Sequence, residues 1–240
     1  MLVKTRGIVF RTHKYGESSL IVEMYTEQKG LRKYIISGVR SAKARTQASL
    51  LQVMTLLEIV AYERDDRDLN RLKEIQPAYI YDSIPFDVRK GAVGLFMVEV
   101  ARKAIREREE NKPLFRFLFE RFAGLDATQD GVANYHLAFL LELSSYLGFS
   151  PAGEYATETP LFDLEAGEFV ALPPAHAHYL VDETALAFYE MLHHSAPKSH
   201  LLRLDREVRQ KLLNELIRYF QLHLEGMGEV NAHLILREVF

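Results

Sequence analysis

The stretch SLIVEMYTEQKGLRKYIISGVRSAKAR, Ser19 to Arg45, decides the fold. In its first eight residues Leu20, Val22 and Met24 face one way and Ile21, Glu23 and Tyr25 the other, the period of two that marks a half-buried strand. After a turn at Gln28, Lys29 and Gly30, the run LRKYIIS repeats that chemistry. Three further runs flank the pair: LVKTRGIVFRT (2–12), LLQVMTLLEIVAYE (50–63) and LNRLKEIQP (69–77), each bounded by turn residues. Five strands at such short spacing predict a small closed or nearly closed barrel of the oligonucleotide-binding type.

From Pro85 onward the period changes. Val132, Tyr135, Phe139, Leu143 and Tyr146 step by three and four, which predicts a buried helix stopped by Gly148 and Pro151. Leu204, Val208, Leu212, Leu216, Phe220 and Leu224 predict a second helix, opened by Ser199. Between them, GFSPAGEYATETPLFDLEAGEFVALPP has little helical period; FDLEAGEFVAL suits one hairpin turning at Ala166 and Gly167. The expected fold class is α+β with two domains: a barrel over residues 1–80 and a mostly helical domain over 81–240, interrupted near 150–174 by an irregular or hairpin insertion. There is no internal repeat.

Charge is divided along the chain. The first 50 residues hold ten Lys or Arg against Glu17, Glu23 and Glu27, a net +7, and the rest carries −10. Between Gln28 and Leu57 there are six cations and no carboxylate. A surface built only for solubility mixes both signs, so this run points to a polyanion or an acidic protein as partner. In a barrel of this type the third strand and the loop leaving it track phosphates, with aromatics stacking on bases. The expected DNA-binding residues are Arg11, Lys33, Arg40, Lys43, Arg45 and Tyr34, with Tyr25 a second stacking candidate and Lys29 and Arg32 weaker contacts. Ser37, Ser41, Thr46 and Ser49 add hydroxyl donors.

No catalytic constellation stands out, so a non-enzyme is expected. Absence of cysteine removes disulfides, thiol catalysis and thiolate metal sites. There is no Walker sequence, no GxSxG and no HEXXH, and Gly91 and Gly94 do not follow a strand. Asp65, Asp66 and Asp68 offer carboxylates for a metal-dependent nuclease, but they lie between two strand runs where a turn needs polar residues. The late histidines, His176, His178, His193, His194, His200, His223 and His233, are read as surface or helix-end residues, because 176 and 178 would diverge on a helix. No cofactor and no metal are expected. The aromatic run LFRFLFERF (114–122) reads as helix core in preference to a docking groove. No window approaches 18 apolar residues and the first residues lack a signal-peptide core, so a cytoplasmic, nucleoid-associated location and no membrane contact are expected.

With these residues assembled, the chain resembles the bacterial RecO family of recombination mediators. The resemblance lies in the opening GIVFRTHKYGESSLIVEMYTEQKGLRKYIISGVRSAKAR, with its Gly-Ile-Val strand, its Thr26-x-x-x-Gly30 turn and its basic loop after Gly38-x-Arg40. It continues in LLNELIRYFQLHL and HLILREVF near the C-terminus, where Tyr219, His223 and Leu224 keep a Tyr-x-x-x-His-Leu spacing. The resemblance implies a DNA-repair protein that binds and anneals single- and double-stranded DNA. Its implied protein partners are RecR and single-strand-binding protein, and through them it would load RecA. Many family members hold zinc with four cysteines in the insertion, at the region matching Gly153 to Phe169; here that region reads GEYATETPLFDLEAGEF. Three other readings stay open. The cations suit structured RNA as well as DNA, the aspartates suit a nuclease, and the basic strip or Arg102, Arg106, Arg116 and Arg121 suit an acidic protein tail.

Overall fold

The computed structural model describes residues 1–37, 49–64 and 67–240. Its contacts divide the chain into two compact units, one formed by residues 1–82 with 105–126 and the other by 83–104 with 127–240.

In the first unit five strands close into a barrel in the order β1-β2-β3-β5-β4. They are β1 (Leu2–Tyr15), β2 (Ser19–Thr26), β3 (Gly30–Ile36), β4 (Leu56–Tyr62) and β5 (Leu69–Tyr79). The long β1 pairs with β4 through residues 2–8 and with β2 through residues 7–15, and a bulge between Val9 and Arg11 bends it from one neighbour to the other. A short parallel pairing of β3 with β5, Lys33 to Leu69 through Ile35 to Arg71, completes the ring. The alternation seen in the sequence becomes burial: Val9, Leu20, Val22, Met24, Tyr34, Ile36, Leu57, Ile59, Ala61 and Leu72 fill the interior. The fourth strand begins later than its sequence run suggests. Residues before it form a turn in which Met54, at φ 75°, donates its N–H to the Val9 carbonyl, and Leu51 enters the core from that turn.

Helices α1 (Val88–Ala104) and α2 (Lys112–Ala127) belong to different units. On α2, Leu114, Phe115, Phe117, Leu118 and Phe122 are buried, so the aromatic run is core as its sequence suggests. Phe115 lies 6.2 Å from Tyr25, ring to ring, and Arg6 reaches over Phe119 at 4.9 Å while forming a two-point contact with Glu27.

The second unit centres on α3 (Tyr135–Tyr146), in which nine of twelve residues are buried. Around it lie α4 (Asp182–Leu192), a 3-10 turn (Ala196–Leu201), α5 (Arg206–His223) and α6 (His233–Val239). Helix α5 opens after Asp205, not at Ser199, whose hydroxyl closes back on the Ala196 carbonyl within the 3-10 turn. The insertion forms the expected hairpin, β6 (Leu161–Asp163) with β7 (Glu168–Val170), turning through Gly167 at φ 73°. A third strand, β8 (Tyr179–Leu180), pairs with β6. Among the described residues no helix is long and apolar enough to cross a membrane.

Candidate nucleic-acid interface

Strand pairing arranges the outward residues of the barrel in rows. One row runs Arg11, Glu23, Lys33, Leu69 across β1, β2, β3 and β5. The next runs His13, Ile21, Ile35, Arg71, Tyr62 and reaches β4. Directly opposite residues share a face, so these are two lines of one surface. Arg11, His13, Lys33, Arg71 and Tyr62 are all exposed, and Tyr62 shows 51% of its surface. Beside them Tyr62, Arg71 and Lys73 line a groove with Ile36, Leu72 and Ser37.

The electrostatics of this surface are lopsided. Among the described residues Arg11, Lys33 and Arg71 have no hydrogen-bond or ion-pair partner for their side chains, and Glu23, half-buried between two of them, closes an ion pair with neither. Lys73 pairs with Glu74 at 2.8 Å, but both are exposed, and such pairs hold their partners weakly. Three cations without a partner among the described residues, around one apolar strip, suit a chain with charged backbone and stackable bases.

The structure brings Arg11 and Lys33 together and removes Tyr34 from the surface. Tyr34 is fully buried, its hydroxyl 2.5 Å from Glu63, and burial with that hydrogen bond pushes its pKa upward. The reason is parity: on a strand Lys33 and Tyr34 must face opposite ways, so only one of them meets solvent. Tyr25 points outward, but α2 covers it; the ring is buried between Phe10 and Phe115. Arg32 is likewise spent on structure, donating to the carbonyls of Leu31 and Arg108. Arg40, Lys43 and Arg45, with Ser41 and Thr46, lie outside the described residues, as do Asp65 and Asp66. Asp68 is paired with Arg108.

Arg71, Lys73 and Tyr62 are the surface residues that reading along the chain missed. The alternation in LNRLKE places Arg71 and Lys73 on one side of β5, against Asn70 and Leu72 on the other. Their meeting with Lys33 depends on the parallel β3–β5 pairing, which no local pattern announces.

The four-thiolate zinc site that the resemblance implies does not fit this insertion. The chain has no cysteine, and Phe162, Leu164 and Phe169 bury apolar surface there instead.

A closed five-stranded barrel with this strand order and an exposed cation-and-aromatic face, followed by a helical region, defines the class of oligonucleotide-binding-fold proteins with a helical second part. Residues 1–81 match the family model for the recombination protein O N terminal, and residues 85–229 match that for the recombination protein O C terminal. The chain belongs to that family. It is 35% identical to a DNA repair protein RecO of Bacteroides fragilis over 247 residues, 35% to that of Christiangramia forsetii over 241 and 36% to that of Flavobacterium psychrophilum over 242, each match covering the whole of both chains.

Proposed function

We propose that this chain is a DNA-binding recombination mediator in DNA repair, which holds and anneals strands on the barrel and assists the loading of RecA with RecR and single-strand-binding protein. The observation that carries the reading is the barrel face on which Arg11, Lys33 and Arg71 stand beside Tyr62 with no side-chain partner among the described residues. Family membership and relatives named as DNA repair proteins support it. Annealing breaks no covalent bond; it needs two polyanions screened and brought together, which cations on a rigid sheet supply. The basic residues Arg40, Lys43 and Arg45, which follow β3 in sequence, extend the same proposal.

The test is a salt series with single-stranded DNA, duplex DNA and RNA. Each phosphate neutralised on a single strand contributes about −0.7 to the slope of log affinity against log salt, so the combined Arg11→Ala, Lys33→Ala and Arg71→Ala variant is expected to flatten it by about two units. Unchanged slope and affinity in that variant, with no further loss when it is combined with Arg40→Ala, Lys43→Ala and Arg45→Ala, would remove the barrel face from the binding site. Stronger competition by structured RNA than by single-stranded DNA would move the protein to RNA work.

A further inference from the structure

Outside the barrel, the described residues bring one set of metal-type donors together. Glu165, His176 and His178 each present a ligand atom within 4.8 Å of the other two. Counting along the chain separates the two histidines, because residues two apart diverge on a helix. Here they are not helical: residues 175–177 form a bend before β8, and it leaves the two imidazole rings 5.9 Å apart. Pairing of β8 with β6 then sets them against the hairpin loop, with the Leu164 N–H donating to the His178 carbonyl at 3.0 Å.

The distances describe a converging site. Glu165 Oε1 lies 2.9 Å from His178 Nδ1 and 3.6 Å from His176 Nδ1. The other nitrogen of His176, Nε2, lies 3.4 Å from Asp163 Oδ1. That aspartate is held by two backbone donors, the N–H groups of Glu165 and Ala166. A ligating imidazole whose far nitrogen donates to a fixed carboxylate is the common outer arrangement of zinc-bound histidine. The insertion also has a use for a clamp: strands of three, three and two residues make a sheet with little holding it, and a metal ion would tie the β7–β8 connection to the hairpin loop.

We propose that Glu165, His176 and His178 bind a divalent first-row cation, Zn²⁺ in preference to Mg²⁺ or Ca²⁺, with Asp163 orienting His176. Two imidazoles and a carboxylate are a nitrogen-rich donor set that hard cations do not favour. Two groups oppose the ion, and the first is the His178 N–H, which donates to His176 Nδ1 at 3.2 Å and must release that lone pair. The second is Arg218, whose Nη1 stands 3.3 Å from His178 Nε2 and can only donate, so it keeps that nitrogen unprotonated and the proton on Nδ1, the atom that must ligate. Binding therefore requires His178 to change tautomer and the exposed Arg218 to swing away.

The experiment is calorimetric titration of the full-length, metal-stripped chain with Zn²⁺, paired with visible spectra of the Co²⁺ form. One ion per chain is expected, with tetrahedral Co²⁺ bands and no thiolate charge transfer. Binding is lost in the His176→Ala, His178→Ala double variant. It weakens on the order of ten- to a hundredfold in Asp163→Asn, which keeps the turn acceptor but loses the charge. It tightens severalfold in Arg218→Ala, an outcome that general loosening of the insertion does not produce. Circular dichroism of the metal-free variants checks that each folds. Absence of Zn²⁺ binding, or binding undiminished in the folded double variant, overturns the site.

Discussion

At the scale of single residues, two positions carry constraints that their chemistry alone does not show. Gly30 opens β3 at φ +61°, and a Cβ built there would lie 2.2 Å from the Glu109 carbonyl oxygen, while the next residue accepts the close approach by donating from the Leu31 N–H to the Glu107 carbonyl at 3.2 Å. Backbone strain and overpacking act together, so Gly30→Ala is expected to destabilise the chain by roughly 2–5 kcal/mol, read as a lowered denaturant midpoint at unchanged slope. His136 is the second. Its ring is fully buried between Phe96 and Phe240, neither nitrogen has a partner, and burial, with Arg209 nearby, lowers its pKa from 6.5 to about 3. The unfolded chain then takes up a proton between those values that the folded chain refuses. Stability is fully present above pH 6.5 and falls as the pH drops toward 3. The loss from this group between pH 7 and pH 5 is about 2 kcal/mol. His136→Leu keeps a buried apolar side chain without titration, and denaturation curves at the two pH values should show that part of the loss abolished.

At the scale of elements, alternation and period carried most of the fold. Leu20, Val22 and Met24 are core residues as their spacing requires, and the α5 stripe of Leu212, Leu216 and Phe220 is buried as its step of four requires. What failed were features made by pairing at a distance. The barrel closes through three parallel pairs between β3 and β5, α2 joins the strands that precede α1, and β8 has only two residues. Tyr34 is a different failure, since strict use of the two-residue period already places it opposite Lys33. The same rule identifies the aromatic that is available: Tyr62 sits opposite Arg71 on the outer surface. A base stacked on such a ring contributes about 1–3 kcal/mol, so Tyr62→Ala should weaken single-stranded DNA by roughly five- to a hundredfold. Tyr62→Phe should restore the affinity, the salt slope should not move because no charge is lost, and duplex, whose bases are already stacked, should bind as before. Equal losses on duplex and single strand would mean that Tyr62 supports the sheet and does not touch bases.

At the scale of the molecule, the overall charge of −3 averages two unlike bodies. The unit of residues 1–82 and 105–126 contains 19 Lys or Arg against 15 Asp or Glu, and the other contains 11 against 18. A polyanion therefore meets net attraction on one unit and net repulsion on the other, and counterion release should come from the first alone. Exchanging Arg203 and Lys211 of the acidic unit for Ala is expected to leave the salt slope for single-stranded DNA within about 0.3 of its starting value. With one strand bound across both sets, the barrel-face triple, Arg11, Lys33 and Arg71, and the triple that follows β3 in sequence, Arg40, Lys43 and Arg45, should each remove about two units, from 0.7 per phosphate. The combination tells how the strand runs. If one strand spans both sets, all six exchanges together remove about four units and the effects add. If the two sets hold separate strands, as a protein that anneals two strands can use them, a single oligonucleotide bound at limiting protein loses little slope when either triple is changed alone, and loses it only when both are. Fluorescence anisotropy with a short labelled oligonucleotide across five salt concentrations, for the parent and these variants, separates the two arrangements, and loss of slope from the Arg203, Lys211 variant would contradict both.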